Sequence, residues 1–85
     1  MFGDEGARRI GEAYAKTGDL ANASRFYEHL VKKYPENAEY HTALAAIFAE
    51  IGRIEEAREH ARRAVELDPT LKERVDNFYE YLKTK

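Results

Sequence analysis

The chain has 85 residues, enough for one domain, and its 44% hydrophobic and 35% charged residues exclude a disordered segment. Lys and Arg total 14 against 16 Asp and Glu; the net charge of -2 lacks a nucleic-acid binder's basic excess, and the absence of cysteine excludes disulfides and thiolate metal sites. No apolar run approaches the ~20 residues of a membrane span, and Met1 to Glu5 lacks a secretory signal's basic start, so a chain complete as given is expected in the cytoplasm without membrane contact.

The first predicted element is a helix over about 4–17. Ile10 and Tyr14 stand four apart and share one face, while Gly11 is small enough to admit a close antiparallel partner. Gly18 ends this helix, where a left-handed residue costs least, and Asp19 is placed to cap the next, over about 20–34. Pro35 cannot continue a helix and closes the unit. A third helix, about 37–51, repeats the first: Leu44 and Phe48 share a face and Ala45 takes the place of Gly11. Gly52 ends it. Arg53 follows where Asp19 stood, so the fourth helix, about 54–67, starts without a good capping side chain. After Pro69, Thr70-Leu71-Lys72-Glu73 has the pattern of a capping box and opens a fifth helix, about 70–83. Its Leu71, Val75, Phe78 and Leu82 form an apolar stripe, and Ala57, Ala61 and Ala64 on the fourth helix leave room for Phe78 or Tyr79.

One interval runs through these elements. Gly18 and Gly52, Ala23 and Ala57, Tyr14 and Phe48, Ile10 and Leu44, and Pro35 and Pro69 are all 34 residues apart. The first unit reads Ala7-x2-Ile10-Gly11-x2-Tyr14, then Gly18, Ala23-x3-Tyr27 and Pro35; the second reads His41-x2-Leu44-Ala45-x2-Phe48, then Gly52, Ala57-x3-Ala61 and Pro69. Over about residues 4–84 this resembles the tetratricopeptide repeat, W-x2-L-G-x2-Y…A-x3-F…P. Both units lack the leading aromatic, and Ala61 stands where a large ring is usual. The resemblance implies an all-α fold, an α-solenoid of antiparallel helix hairpins with five helices in a right-handed superhelix. It implies a single domain over 1–85: repeat 1 about 4–37, repeat 2 about 38–71 and a capping helix about 70–84. Tyr79 falls 34 residues after Ala45, where a following helix needs a small side chain, so the array is expected to stop there. Gly6, Ala13 and Thr17 are small residues on the opposite end face, which meets a preceding repeat, solvent or a second copy.

Nothing in the sequence points to catalysis, a metal or a cofactor. His29, His41 and His60 form neither an i, i+4 histidine pair nor a His-Glu-x-x-His motif, and read as packing or surface residues, although Glu56 and His60 are four apart. Ser24 lacks a nucleophile elbow, and Gly3, Gly6 and Gly11 make no phosphate loop. Glu12/Lys16, Glu28/Lys32 and Glu59/Arg63 read as ion pairs on solvated helix faces.

In the family the chain resembles, the first helices of successive repeats line a concave groove that holds an extended peptide or a partner helix. Here that groove takes Glu5, Arg8, Arg9 and Glu12 from the first repeat. The second supplies Glu39, Thr42, Ala43, Ala46 and Glu50, and the closing helix Glu73, Asp76, Asn77 and Glu80. One branch of the family clamps the carboxylate tails of chaperones with lysine, arginine and asparagine. Of that clamp only Arg8 survives, since Glu12, Ala43, Glu73 and Asn77 replace the rest, and such tails are not expected to bind. The acids toward the C-terminal end favour a neutral or basic ligand. The chain therefore reads as a protein–protein interaction scaffold for a protein or peptide. The alternative is a self-assembly module, a homodimer or domain-swapped pair joined through the open face of helix 4–17 with Phe2, Tyr34, Tyr40 and Tyr81 exposed. An engineered or excised fragment of a larger repeat protein is a third reading.

Overall fold

A computed structural model describes residues 16–84. Among them lie four α-helices: α1 Leu20–Lys33, α2 Ala38–Glu50, α3 Ile54–Leu67 and α4 Lys72–Leu82, with a 3-10 turn at Pro69–Leu71 before the last. The helix expected over 4–17 lies outside the described residues apart from its C-terminal end, and with it Gly11, Arg8, Arg9 and Glu12.

The helix boundaries follow from local chemistry. Gly18 and Gly52 have φ of 77° and 86°, the left-handed region that a side chain disfavours. At the second turn the Gly52 N–H donates to Ala49 O at 3.2 Å and the Arg53 N–H to Phe48 O at 2.8 Å, the paired bonds that close a helix through a left-handed glycine. Asp19 accepts from the Asn22 N–H at 3.3 Å, and Asn37 caps α2 by accepting from the Tyr40 N–H at 3.1 Å. Arg53 caps nothing with its side chain, as the repeat alignment suggests.

The expected capping box at Thr70 does not form. Asp68 accepts both the Thr70 N–H (3.1 Å) and the Thr70 hydroxyl (2.6 Å), which turns Pro69–Leu71 into a 3-10 segment and delays α4 to Lys72. The N-cap position of α4 falls on Leu71, one residue past Thr70, and carries no side-chain capping bond.

Packing centres on α2, which is buried around most of its circumference; Leu44 and Phe48 are the largest fully buried side chains. The α2–α3 hairpin is tight because α3 presents a stripe of alanines, Ala57, Ala61 and Ala64, all buried. Phe78 and Tyr79 of α4 pack half-buried against those alanines and Ala45, and Leu71, Val75 and Leu82 are buried outright. Burial also corrects one expectation: Tyr34 and Tyr81 are each 44% exposed, but Tyr40 is 3% exposed, its ring beside those of Tyr27 (6.3 Å) and Tyr34 (6.0 Å). Tyr40 lies four residues before Leu44, so the core stripe of α2 simply starts one turn earlier. Phe2 lies outside the described residues.

Two surface ion pairs also differ from expectation. Glu28 reaches Arg53 at 3.6 Å instead of Lys32, and Glu59 reaches Arg62 at 2.8 Å instead of Arg63, which turns to Glu66. Arg53 ties three helices together: its guanidinium lies 4.3 Å from the centre of the Phe48 ring, pairs with Glu28 of α1 and grips Glu56 of α3 with both nitrogen arms. That hydrogen-bonded grip holds the Glu56 carboxyl below the usual carboxylate range.

Candidate functional site

One face of the molecule is built from the least bulky side of α2 and the inner side of α4. Thr42, Ala43 and Ala46 stand on that side of α2, and the Thr42 hydroxyl donates to the Ala38 carbonyl at 2.9 Å, so its polar atom is already satisfied within the helix. Two adjoining hollows open there. The first, about 240 Å³, lies against Tyr27 of α1, with Glu39, Tyr40, Thr42, Ala43 and Ala46 of α2 and Arg74 of α4. The second, about 220 Å³, has Ala45, Ala46 and Thr42 of α2, Ala61 of α3 and Arg74, Val75 and Phe78 of α4. Thr42, Ala46 and Arg74 belong to both, so the two hollows adjoin along one trough-like face. Arg74 reaches across to Glu39 at 3.8 Å and bridges the trough's α2 and α4 walls.

Of the residues assigned to the groove from sequence, Glu39, Thr42 and Ala46 line the trough, as does Ala43. Glu50, Glu73, Asn77 and Glu80 line neither hollow. Glu50 accepts from the Tyr81 hydroxyl at 2.8 Å, which ties α4 to α2, and Glu80 pairs with Lys83 at 3.2 Å. Asp76 pairs with Lys72 at 2.8 Å. Of the groove's acids, Glu39, Asp76 and Glu80 thus each meet a neighbouring cation. Sequence reasoning missed Arg74, although it stands four residues before Phe78 and so shares its side of α4. It also missed Tyr27 and Tyr40, which α1 and the first turn of α2 deliver.

The structure joins two histidines that sequence treats separately. His41 is 5% exposed, and its Nδ1 lies 3.1 Å from Nδ1 of half-buried His60. Burial, then the neighbouring His41, pushes the His60 pKa down. His29 is exposed. Ser24 is buried, its hydroxyl donating to the Ala21 carbonyl at 2.9 Å. Among the described residues no three His, Asp or Glu side chains converge as a metal site requires, and no helix is long and apolar enough to cross a membrane.

The family model described as tetratricopeptide repeat matches residues 8–71. The chain belongs to the tetratricopeptide repeat family. It is 33% identical over 60 residues to the Arabidopsis thaliana Protein CTR9 homolog, covering 71% of this chain and 6% of that protein. Against the Arabidopsis thaliana TPR repeat-containing thioredoxin TTL4 it is 33% identical over 70 residues, covering 82% of this chain and 10% of the relative. Against the Bos taurus BBSome complex member BBS4 it is 33% identical over 61 residues, covering 72% and 12%. The chain spans between 6% and 12% of the length of these relatives. Tetratricopeptide repeats generally mediate protein–protein interaction, typically as scaffolds without catalysis.

Proposed function

We propose that this tetratricopeptide repeat chain is a non-catalytic protein-interaction scaffold whose trough on α2 and α4 holds an extended peptide or a partner helix. The observation that carries this reading is that the two hollows adjoin, sharing Thr42, Ala46 and Arg74 in their walls. Small side chains on α2 let a ligand's backbone come close, and the hollow against Ala45, Ala61, Val75 and Phe78 suits one bulky apolar side chain. Because Arg74 meets Glu39, Lys83 meets Glu80 and Lys72 meets Asp76, apolar fit contributes more than charge, and the preferred ligand is neutral around its anchor.

The proposal includes a single domain with repeats over about 4–37 and 38–71 and a capping helix over about 70–84. It also includes a fifth helix over about 4–17, right-handed stacking, and a groove continued by Arg8, Arg9 and Glu12. Partners are proteins or peptides, without nucleic acid.

Peptides selected from a random display library against the chain provide the test, with affinity measured by titration calorimetry. Ala46 is exposed and shared by both hollows, so Ala46→Trp fills the trough without entering the core. Binding of the selected peptides is expected to weaken at least about tenfold while the helical circular dichroism stays unchanged, the loss corresponding to about 1.4 kcal/mol. Equal binding to both proteins refutes the trough as the site.

A further inference from the structure

We propose that His41 and His60 form an acid-sensitive clasp that holds the α2–α3 hairpin closed and loosens when the pair is asked to carry a second proton. This goes beyond the binding role and does not depend on it.

The geometry leaves room for one hydrogen between the rings. Their centres are 5.3 Å apart and the two Nδ1 atoms 3.1 Å apart, so the nitrogens and two ring radii account for nearly the whole separation. The nitrogens therefore point at each other almost in line, the arrangement of an N–H···N hydrogen bond. The other side of His41 fixes its tautomer. Its Nε2 lies 2.9 Å from the Pro35 carbonyl oxygen, which can only accept, so Nε2 carries a hydrogen. In neutral His41 the Nδ1 is then bare and accepts from Nδ1–H of His60. The contact joins α2, α3 and the link between the two repeats.

A first added proton leaves the bond intact, because an imidazolium on either ring still donates to a bare nitrogen on the other. A second proton sets N–H against N–H between two positive rings, and the bond is lost. Surrounding charges offer limited relief. Glu56 and Glu59 of α3 and Glu28 of α1 favour protonation of His60, but Arg53 engages Glu56 and Glu28, and Arg62 engages Glu59. Desolvation is the largest influence on His60 and opposes its charge, acting in the same direction as the pair geometry.

The sign of the pH effect follows. Each histidine of the unfolded chain takes a proton near pH 6.5, whereas the folded pair holds at most one. The folded state thus binds fewer protons below that pH. Stability is complete above about pH 7 and falls as the medium is acidified through about pH 6.5.

His60→Asn provides the comparison. An asparagine amide can donate to neutral His41 Nδ1 or turn its oxygen to accept from the protonated form, so it keeps a bond and removes the conflict. Urea unfolding of the full chain at pH 7.5 and pH 5.0 should show the wild-type folding constant falling up to about thirtyfold more than that of the variant. Equal pH dependence overturns the clasp. If the variant does not fold, nitrogen-15 NMR of the wild-type imidazoles decides. A bare Nδ1 and protonated Nε2 on His41 at pH 7.5, with only one ring of the pair titrating above pH 5, support it. Two independent titrations near pH 6.5 overturn it.

Discussion

Truncating Tyr40 separates the tertiary reading of this chain from the linear one. As an exposed aromatic, Tyr40 would be replaceable by alanine at little cost; as a residue 3% exposed beside the rings of Tyr27 and Tyr34, it would not. Removing a large buried aromatic costs about 3–5 kcal/mol, a range that contains the lost ring contacts and the cavity left behind. At about 0.05–0.15 kcal/mol per residue the whole domain has only ~4–13 kcal/mol to lose. Tyr40→Ala should therefore lower the melting temperature by at least about 12 °C, taking ~4 °C per kcal/mol as the lower conversion for a domain of this size. Tyr34→Ala, at a site 44% exposed, should stay within about 1 kcal/mol of the wild type. Circular dichroism melts with urea titrations of both variants measure the two numbers. A Tyr40→Ala protein within about 1 kcal/mol of wild type, or a Tyr34→Ala protein equally damaged, refutes the burial argument.

Gly52 has φ of 86° and nothing within 4 Å of where a Cβ would stand, so substitution there strains the backbone without a clash. Gly52→Ala should cost about 1–2 kcal/mol in urea titrations and Gly52→Asn less, because asparagine tolerates the left-handed region; a neutral alanine variant contradicts the turn geometry. An acidic C-terminal peptide of the kind that carboxylate clamps hold should give no heat in titration calorimetry, since Glu12, Ala43, Glu73 and Asn77 replace four members of that clamp. Micromolar binding overturns that expectation.

How much of this was legible beforehand depends on distance along the chain. The 34-residue interval, the two left-handed glycines and the Asp19 cap are properties of neighbouring residues, and they appear where periodicity and backbone sterics place them. The groove was legible only in part. Glu39, Thr42 and Ala46 follow from helix phase, but Arg74 entered through its crossing to Glu39, 35 residues away. Thr70 shows that a local pattern can also mislead: Asp68, two residues earlier, takes the capping role by accepting the Thr70 N–H, and a 3-10 turn precedes the helix.

For the described residues, the sequence by itself determined where the four helices lie, to within about two residues at their ends, because steric limits on φ and a 3.6-residue period act within a few residues. Only the tertiary structure decided which side chains meet: Glu28 with Arg53, Tyr40 with Tyr27, His41 with His60. Those pairings depend on how far each alanine lets one helix slide and turn against the next. A small rotation of a packed helix leaves every local preference unchanged while it exchanges one partner for another.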